Sequence, residues 1–168
     1  MLSLIEDLQK PKYTIEEFTK ITLRVLEYLP NVLSEEKVKS GYTIHSSSIA
    51  GTLKYIRPIN RRLFIYSPSD FERKLEVFDK LFEKLKVQNN QWDVSEKELL
   101  ESVLYTIQQS IGVGFDLLAN PNSARKLVGN RFEELIKAIF TEMGIANKKT
   151  VLQIPYQTDE GIKNYKCE

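Results

Sequence analysis

Apolar residues recur at the spacing of a buried helical stripe in four separate stretches, which restricts this chain to a largely helical fold. Three of the stretches open on a hydroxyl residue followed three positions later by glutamate: Thr14 with Glu17, Ser69 with Glu72 and Ser95 with Glu98. In each pair the hydroxyl can cap the first turn while the carboxylate reaches back to the N–H of the cap. The first predicted helix runs from Thr14 to Tyr28 and stops before Pro30. The second carries Phe71, Leu75, Phe78, Leu81, Phe82 and Leu85 on one face, and the third carries Leu99, Leu100, Val103, Leu104, Ile107 and Ile111. Such stripes are core. The polar run Gln88-Asn89-Asn90-Gln91 reads as an exposed loop. Gly112-Val113-Gly114 lacks the third glycine of a dinucleotide fingerprint and follows a helix, so it reads as a helix-ending turn.

The fourth helix follows a cap at Asn122, with apolar residues at Val128, Phe132, Leu135, Ile136, Ile139, Phe140 and Met143 and a terminating Gly144. At about 100° per residue, Glu133 falls about 20° from Phe140, on the border of that stripe, and Glu134 points nearly opposite, toward solvent. Beyond it, Val151 to Tyr156 and Lys163 to Glu168 flank the turn-like Thr158-Asp159-Glu160-Gly161, which predicts a β-hairpin with Pro155 weakening its first strand or placing it at an edge. The second strand meets no stop signal before Glu168, so the chain is expected to be part of a longer domain.

With 168 residues, 42% of them hydrophobic and 28% charged, the chain can build one core, or a helical domain plus part of another. A net charge of +1 gives no global signature of nucleic-acid binding, so any such surface must be local. One cysteine, Cys167, excludes an intrachain disulfide. A single histidine, His45, argues against a Cys/His zinc site and a Ser/His/Asp triad, and is expected to be a capping or surface residue. The N-terminus carries Glu6 and Asp7 where a signal peptide needs basic residues, and no apolar run is long enough to cross a membrane, so a soluble intracellular protein is expected.

Local charge is more informative. Thr43 to Pro68 contains no acid but includes Lys54, Arg57, Arg61 and Arg62. A short helix near Ser34 to Lys39, a turn at Gly41 and a second helix near Ser47 to Ile56 would make a helix-turn-helix over 34–57, with Ser47 and the basic residues touching DNA. Arg125, Lys126 and Arg131 form a second basic group at the front of the fourth helix. A solvated basic face balanced by acids elsewhere remains the open alternative for both groups.

The pattern Asn122-Ser123-x-Arg125-Lys126-x-x-Gly129-x-x-Phe132-Glu133-x-x-Ile136, then Gly144-Ile145 and two strands, resembles the start of the catalytic core in type II restriction endonucleases of the PD-(D/E)xK superfamily. The match covers Asn122 to Glu168 and nothing before it. The helical stripes make a mainly α chain with a helical domain over 1–118; over 119–168 the resemblance implies the opening helix and hairpin of a truncated α/β restriction-endonuclease-like core. It also implies a prokaryotic, cytoplasmic enzyme that cuts double-stranded DNA at a short site with Mg²⁺, as a homodimer on a palindrome. Glu133 matches the helix glutamate of such cores, hence a catalytic and metal-binding candidate. The expected aspartate and acid-x-lysine pair have no counterpart up to Glu168, so the fragment itself is expected to be inactive. Without the resemblance, Glu133 would read as a carboxylate paired with Arg131, Lys137 or Lys166. A helix-turn-helix module and a helical dimerisation or scaffold domain are the alternative functions.

Overall fold

The computed structural model describes residues 2–33, 35–49, 51–86, 93–118, 120–148 and 152–167. The chain is mainly helical: α1 (Leu2–Gln9), α2 (Ile15–Val32), α3 (Pro68–Lys86), α4 (Val94–Leu118) and α5 (Pro121–Glu142) carry the core. Two small antiparallel sheets interrupt them, one of β1 (Glu35–Lys39), β2 (Tyr42–Ile49), β3 (Thr52–Tyr55) and β4 (Ile59–Asn60), the other of β5 (Leu152–Thr158) and β6 (Gly161–Cys167). The loop expected at Gln88–Gln91 lies outside the described residues.

The helix at Thr14 opens as expected: the Thr14 hydroxyl accepts the Glu17 N–H and the Glu17 carboxylate accepts the Thr14 N–H. It does not stop before Pro30, because a proline in the last turn forfeits only the bond to the Leu26 carbonyl, and the helix ends two residues later. The other three caps stand two positions ahead of their expected places. The Ser67 hydroxyl accepts the Asp70 N–H at 3.3 Å, the Asp93 carboxylate accepts the Glu96 N–H at 2.8 Å, and the Asn120 carbonyl accepts the Ser123 N–H at 2.9 Å. Ser67 and Asn120 each precede a proline at the first helical position, where the missing N–H costs nothing.

α4 is the central helix and packs against α1, α2, α3, α5 and β3. Val103, Ile107, Val113 and Phe115 of α4 meet Phe18, Val25 and Leu26 of α2, Phe71 and Phe78 of α3, and Leu135 and Ala138 of α5 in one hydrophobic cluster. Each large side chain so buried contributes about 1.5–3 kcal/mol. Gly112 and Gly114 do not end this helix; they are buried inside it. A Cβ at Gly114 would lie 2.7 Å from Leu8 Cδ1, and one at Gly112 would overlap the Arg57 guanidinium. Both glycines are needed for close approach rather than for a turn.

The helix-turn-helix expected over 34–57 is absent, because this stretch is a β-meander. Ser40 and Gly41 have φ of 52° and 80°, the two consecutive left-handed residues of a tight hairpin turn, and they join β1 to β2 with Lys39 opposite Tyr42. Along β2, Thr43, His45 and Ser47 face the helices and are buried, and Ser46, of the opposite parity, is buried as well. The β-branched and aromatic residues Tyr42, Thr43, Ile44, Thr52 and Tyr55 suit that pleated surface better than a helix. The C-terminal hairpin forms as expected, with Thr158 opposite Gly161 and Pro155 opposite Asn164. Both of its strands are edges, so proline is tolerated there.

Two glycine substitutions separate close packing from backbone freedom. Gly112→Ala should destabilise the protein by about 1–3 kcal/mol, because the new methyl displaces the Arg57 guanidinium. Gly129→Ala, in α5 with open space around it, should stabilise by about 0.5–1 kcal/mol. Urea unfolding of the two variants checks both signs.

Candidate nucleic-acid interface

The basic residues expected to touch DNA fall into three environments. Arg57 is committed to the fold. Its Nε and Nη2 donate to the two Asp116 carboxylate oxygens at 2.7 and 2.8 Å, and its backbone N–H donates to Oδ2 at 3.1 Å. A bidentate, half-buried pair of this kind fixes position as well as charge. Ser47 is buried, and its hydroxyl donates to the Val32 carbonyl. It is a strand-interior residue rather than the phosphate donor of a helix start. Lys54 is half-buried opposite Ser47. Arg61 and Arg62 are exposed just after β4 and make no ion pair among the described residues. Arg125 and Lys126 are exposed on the first turns of α5, as expected.

Arg131 is 7% exposed and is also structural. Its guanidinium donates to the carbonyls of Leu8 and Gln9, the end of α1, and to the Glu134 carboxylate. Glu134 also accepts the Lys12 N–H at 3.0 Å, so it is the inward carboxylate of α5 and not the solvent-facing one. The Lys12 ammonium donates to the carbonyls of Asp7 at 2.6 Å and Lys10 at 2.9 Å. Burial, then the neighbouring Arg131 charge, lowers its pKa. The stripe of α5 is therefore turned from its expected phase. Ala124, Arg131, Leu135 and Ala138 face inward, while Phe132 and Phe140 are exposed.

Glu133 is exposed on α5, beside that outward apolar strip. Among the described residues no group of three or more His, Cys, Asp or Glu side chains is placed to hold a metal ion. One carboxylate by itself does not satisfy Mg²⁺, which needs near-octahedral oxygen coordination.

His45, expected at the surface, is 3% exposed on the inner face of β2. Its ring meets Tyr66 edge-on with centroids 6.0 Å apart, and neither ring nitrogen has a hydrogen-bond partner. Burial lowers its pKa, outweighing the attraction of Glu36, its cross-strand neighbour on β1. Nothing in the sequence pattern marks the opposite, outer face of the same sheet, because its serines and glycine mimic a helix start. By register it carries Lys37 and Lys39 of β1, Tyr42 and Ile44 of β2, and Leu53 and Tyr55 of β3.

The chain matches no protein-family model, no curated protein and no solved structure. No helix among the described residues is long and apolar enough to cross a membrane.

Arg131→Ala should destabilise by about 3–5 kcal/mol, since it leaves the half-buried Glu134 without its cation and the α1 carbonyls without donors. Glu133→Ala should stay within about 0.5 kcal/mol of the parent, and chemical denaturation distinguishes the two. A histidine with a lowered folded-state pKa binds its proton more weakly than in the unfolded chain. The stability it supports is complete above the ordinary value of 6.5 and falls as the pH drops through that value toward the folded pKa. The stability of the parent relative to His45→Leu should therefore fall between neutral pH and about pH 5, read from urea midpoints.

Proposed function

We propose that this is a DNA-handling protein, and that residues 120–167 open the catalytic core of a PD-(D/E)xK type II restriction endonuclease acting on double-stranded DNA as a homodimer. The observation that carries the reading is the arrangement of α5, the Gly144 turn and the β5–β6 hairpin. Gly144 adopts φ of 69°, and the Ile145 N–H closes the helix on the Phe140 carbonyl at 2.8 Å. The exposed side of α5 presents Phe132 and Phe140 next to Glu133, and the hairpin presents Ile154, Tyr156 and Ile162. Further strands paired with that hairpin and packed on α5 would cover both sets of apolar side chains and bring further acids toward Glu133. Mg²⁺ would be held by such a completed acid cluster, where it neutralises phosphate charge and activates water. Within this chain Glu133 supplies one ligand, and Arg125 and Lys126 stand where a phosphate backbone could approach the front of α5.

A scaffold role is favoured by the same exposed apolar residues if a different chain covers them. The two readings differ in what binds. On the nuclease reading, residues 1–168 bind a short duplex with an affinity that falls steeply between low and physiological salt. Arg125→Ala with Lys126→Ala should weaken this binding several-fold and flatten the salt slope, while Glu133→Ala leaves it unchanged. Plasmid incubated with the same chain and Mg²⁺ should stay uncut. Cutting that depends on Glu133 would show that the metal site is complete after all. A duplex left unbound at low salt would leave the scaffold reading in place.

A further inference from the structure

We propose that the outer face of the β1–β4 sheet is a docking surface for single-stranded nucleic acid, with unpaired bases stacking on Tyr42 and Tyr55 while Lys39, Arg61 and Arg62 hold the phosphates. The inference stands whether or not α5 and its hairpin belong to a nuclease. Tyr55 is 72% exposed and Tyr42 is 45% exposed, large ring areas to leave in water on a sheet whose other face is packed. Both lie on the same face, since Tyr55 pairs with Ser46 and Tyr42 with Asn60, and Ser46 and Tyr42 share a parity along β2. Four residues of strand separate them, or roughly 13 Å at 3.3 Å per residue. The two rings are thus separate platforms on one surface rather than a stacked pair.

The cations flank this surface. Lys39 is directly opposite Tyr42 on β1. On the other side of Tyr42, β4 ends at Asn60, and Arg61 follows with its N–H bonded to the Gly41 carbonyl at 3.1 Å. Lys39, Arg61 and Arg62 are exposed and form no ion pair among the described residues. Lys37 shares the face opposite Ile44, and Glu35, at the end far from Tyr42, is the single acid whose register position falls there. In a chain with a net charge of +1, such a concentration is local, and its sign complements a phosphate backbone.

Exposed aromatic rings among cations on an open sheet favour bases that are free to splay out. A duplex hides its base faces, whereas a single strand can lay each on a ring while its backbone tracks the charges. Stacking of this kind accepts any base, because every base has a π-face.

The test is anisotropy titration of the whole chain with a fluorescein-labelled oligothymidine, which forms no duplex, beside a labelled duplex. Oligothymidine should bind with a salt-dependent affinity. Tyr55→Ala and Tyr42→Ala should each weaken it on the order of tenfold, and Tyr55→Phe, which keeps the ring, should restore it. Arg61→Ala with Arg62→Ala should lower both the affinity and the salt slope. None of these exposed substitutions should move the urea midpoint, which separates lost contact from lost fold. Binding of oligothymidine that ignores both tyrosines would overturn the proposal, as would no binding at low salt. Sedimentation showing a dimer that Tyr55→Ala dissociates, without oligothymidine binding, would equally overturn it and assign the face to a second copy of the chain.

Discussion

The ion pair between Arg57 and Asp116 fixes how the meander sits on the helix bundle, beside the apolar contact that Ile56 and Ile59 make in the common core. Asp116 lies near the end of the central helix, and Arg57 lies just past the third strand of the meander, so one bidentate contact joins sheet to helix bundle. Gly112, one turn earlier in α4, removes the side chain that would otherwise keep the guanidinium off the helix. Around this anchor weaker ties fall into place: the Tyr105 hydroxyl accepts the Asn60 N–H, the Thr106 hydroxyl accepts the Ile65 N–H, and Ser47 donates to the end of α2. A row of polar groups along one side of α4 thereby satisfies backbone donors that the short β4 cannot pair within the sheet.

The division of labour among the basic residues follows from this anchoring. A cation buried at a packing seam is committed to structure, as Arg57 is between sheet and α4 and Arg131 between α5 and the end of α1, because burying it unpaired would cost several kcal/mol. Those beyond the seam, at the hairpin turn, after β4 and at the front of α5, keep their charge for solvent or a partner. The acid-free stretch from Thr43 to Pro68 therefore contains one structural arginine and two surface arginines rather than a single basic face.

Helices were legible in the sequence because leucine and phenylalanine stripes need no tertiary context to be recognised. Their starts were less so. A hydroxyl-x-x-glutamate pair at Ser69 or Ser95 matches a capping box in composition, yet Ser67-Pro68 and Asp93-x-x-Glu96 carry signals of equal quality two residues earlier. The phase of α5 was hidden because an arginine, Arg131, occupies a core position that apolar counting cannot credit, and its partner Glu134 turned inward with it. The meander was missed for a related reason. Serines at 46–48 and a glycine at 41 mimic a helix start, while β2 buries Thr43, His45, Ser46 and Ser47, polar residues that leave no hydrophobic period to read. No described cluster of acids resolves the metal chemistry, since the single carboxylate that suggested it is exposed on α5.

The contact between Arg131 and the end of α1 bears on the order in which the molecule assembles. The carbonyls of Asp7, Leu8 and Gln9 receive their donors from Lys12 and from a residue more than a hundred positions later. Within this chain α1 precedes by more than a hundred residues the arginine whose donors terminate it. An eight-residue helix is too short to persist alone, so its docking waits on the helices it packs against, α2 and α4 through Leu4 and Leu8 and α5 through Arg131. The contact to Arg131 closes a sequence-distant loop and ties the two ends of the helical core into a single cooperative unit.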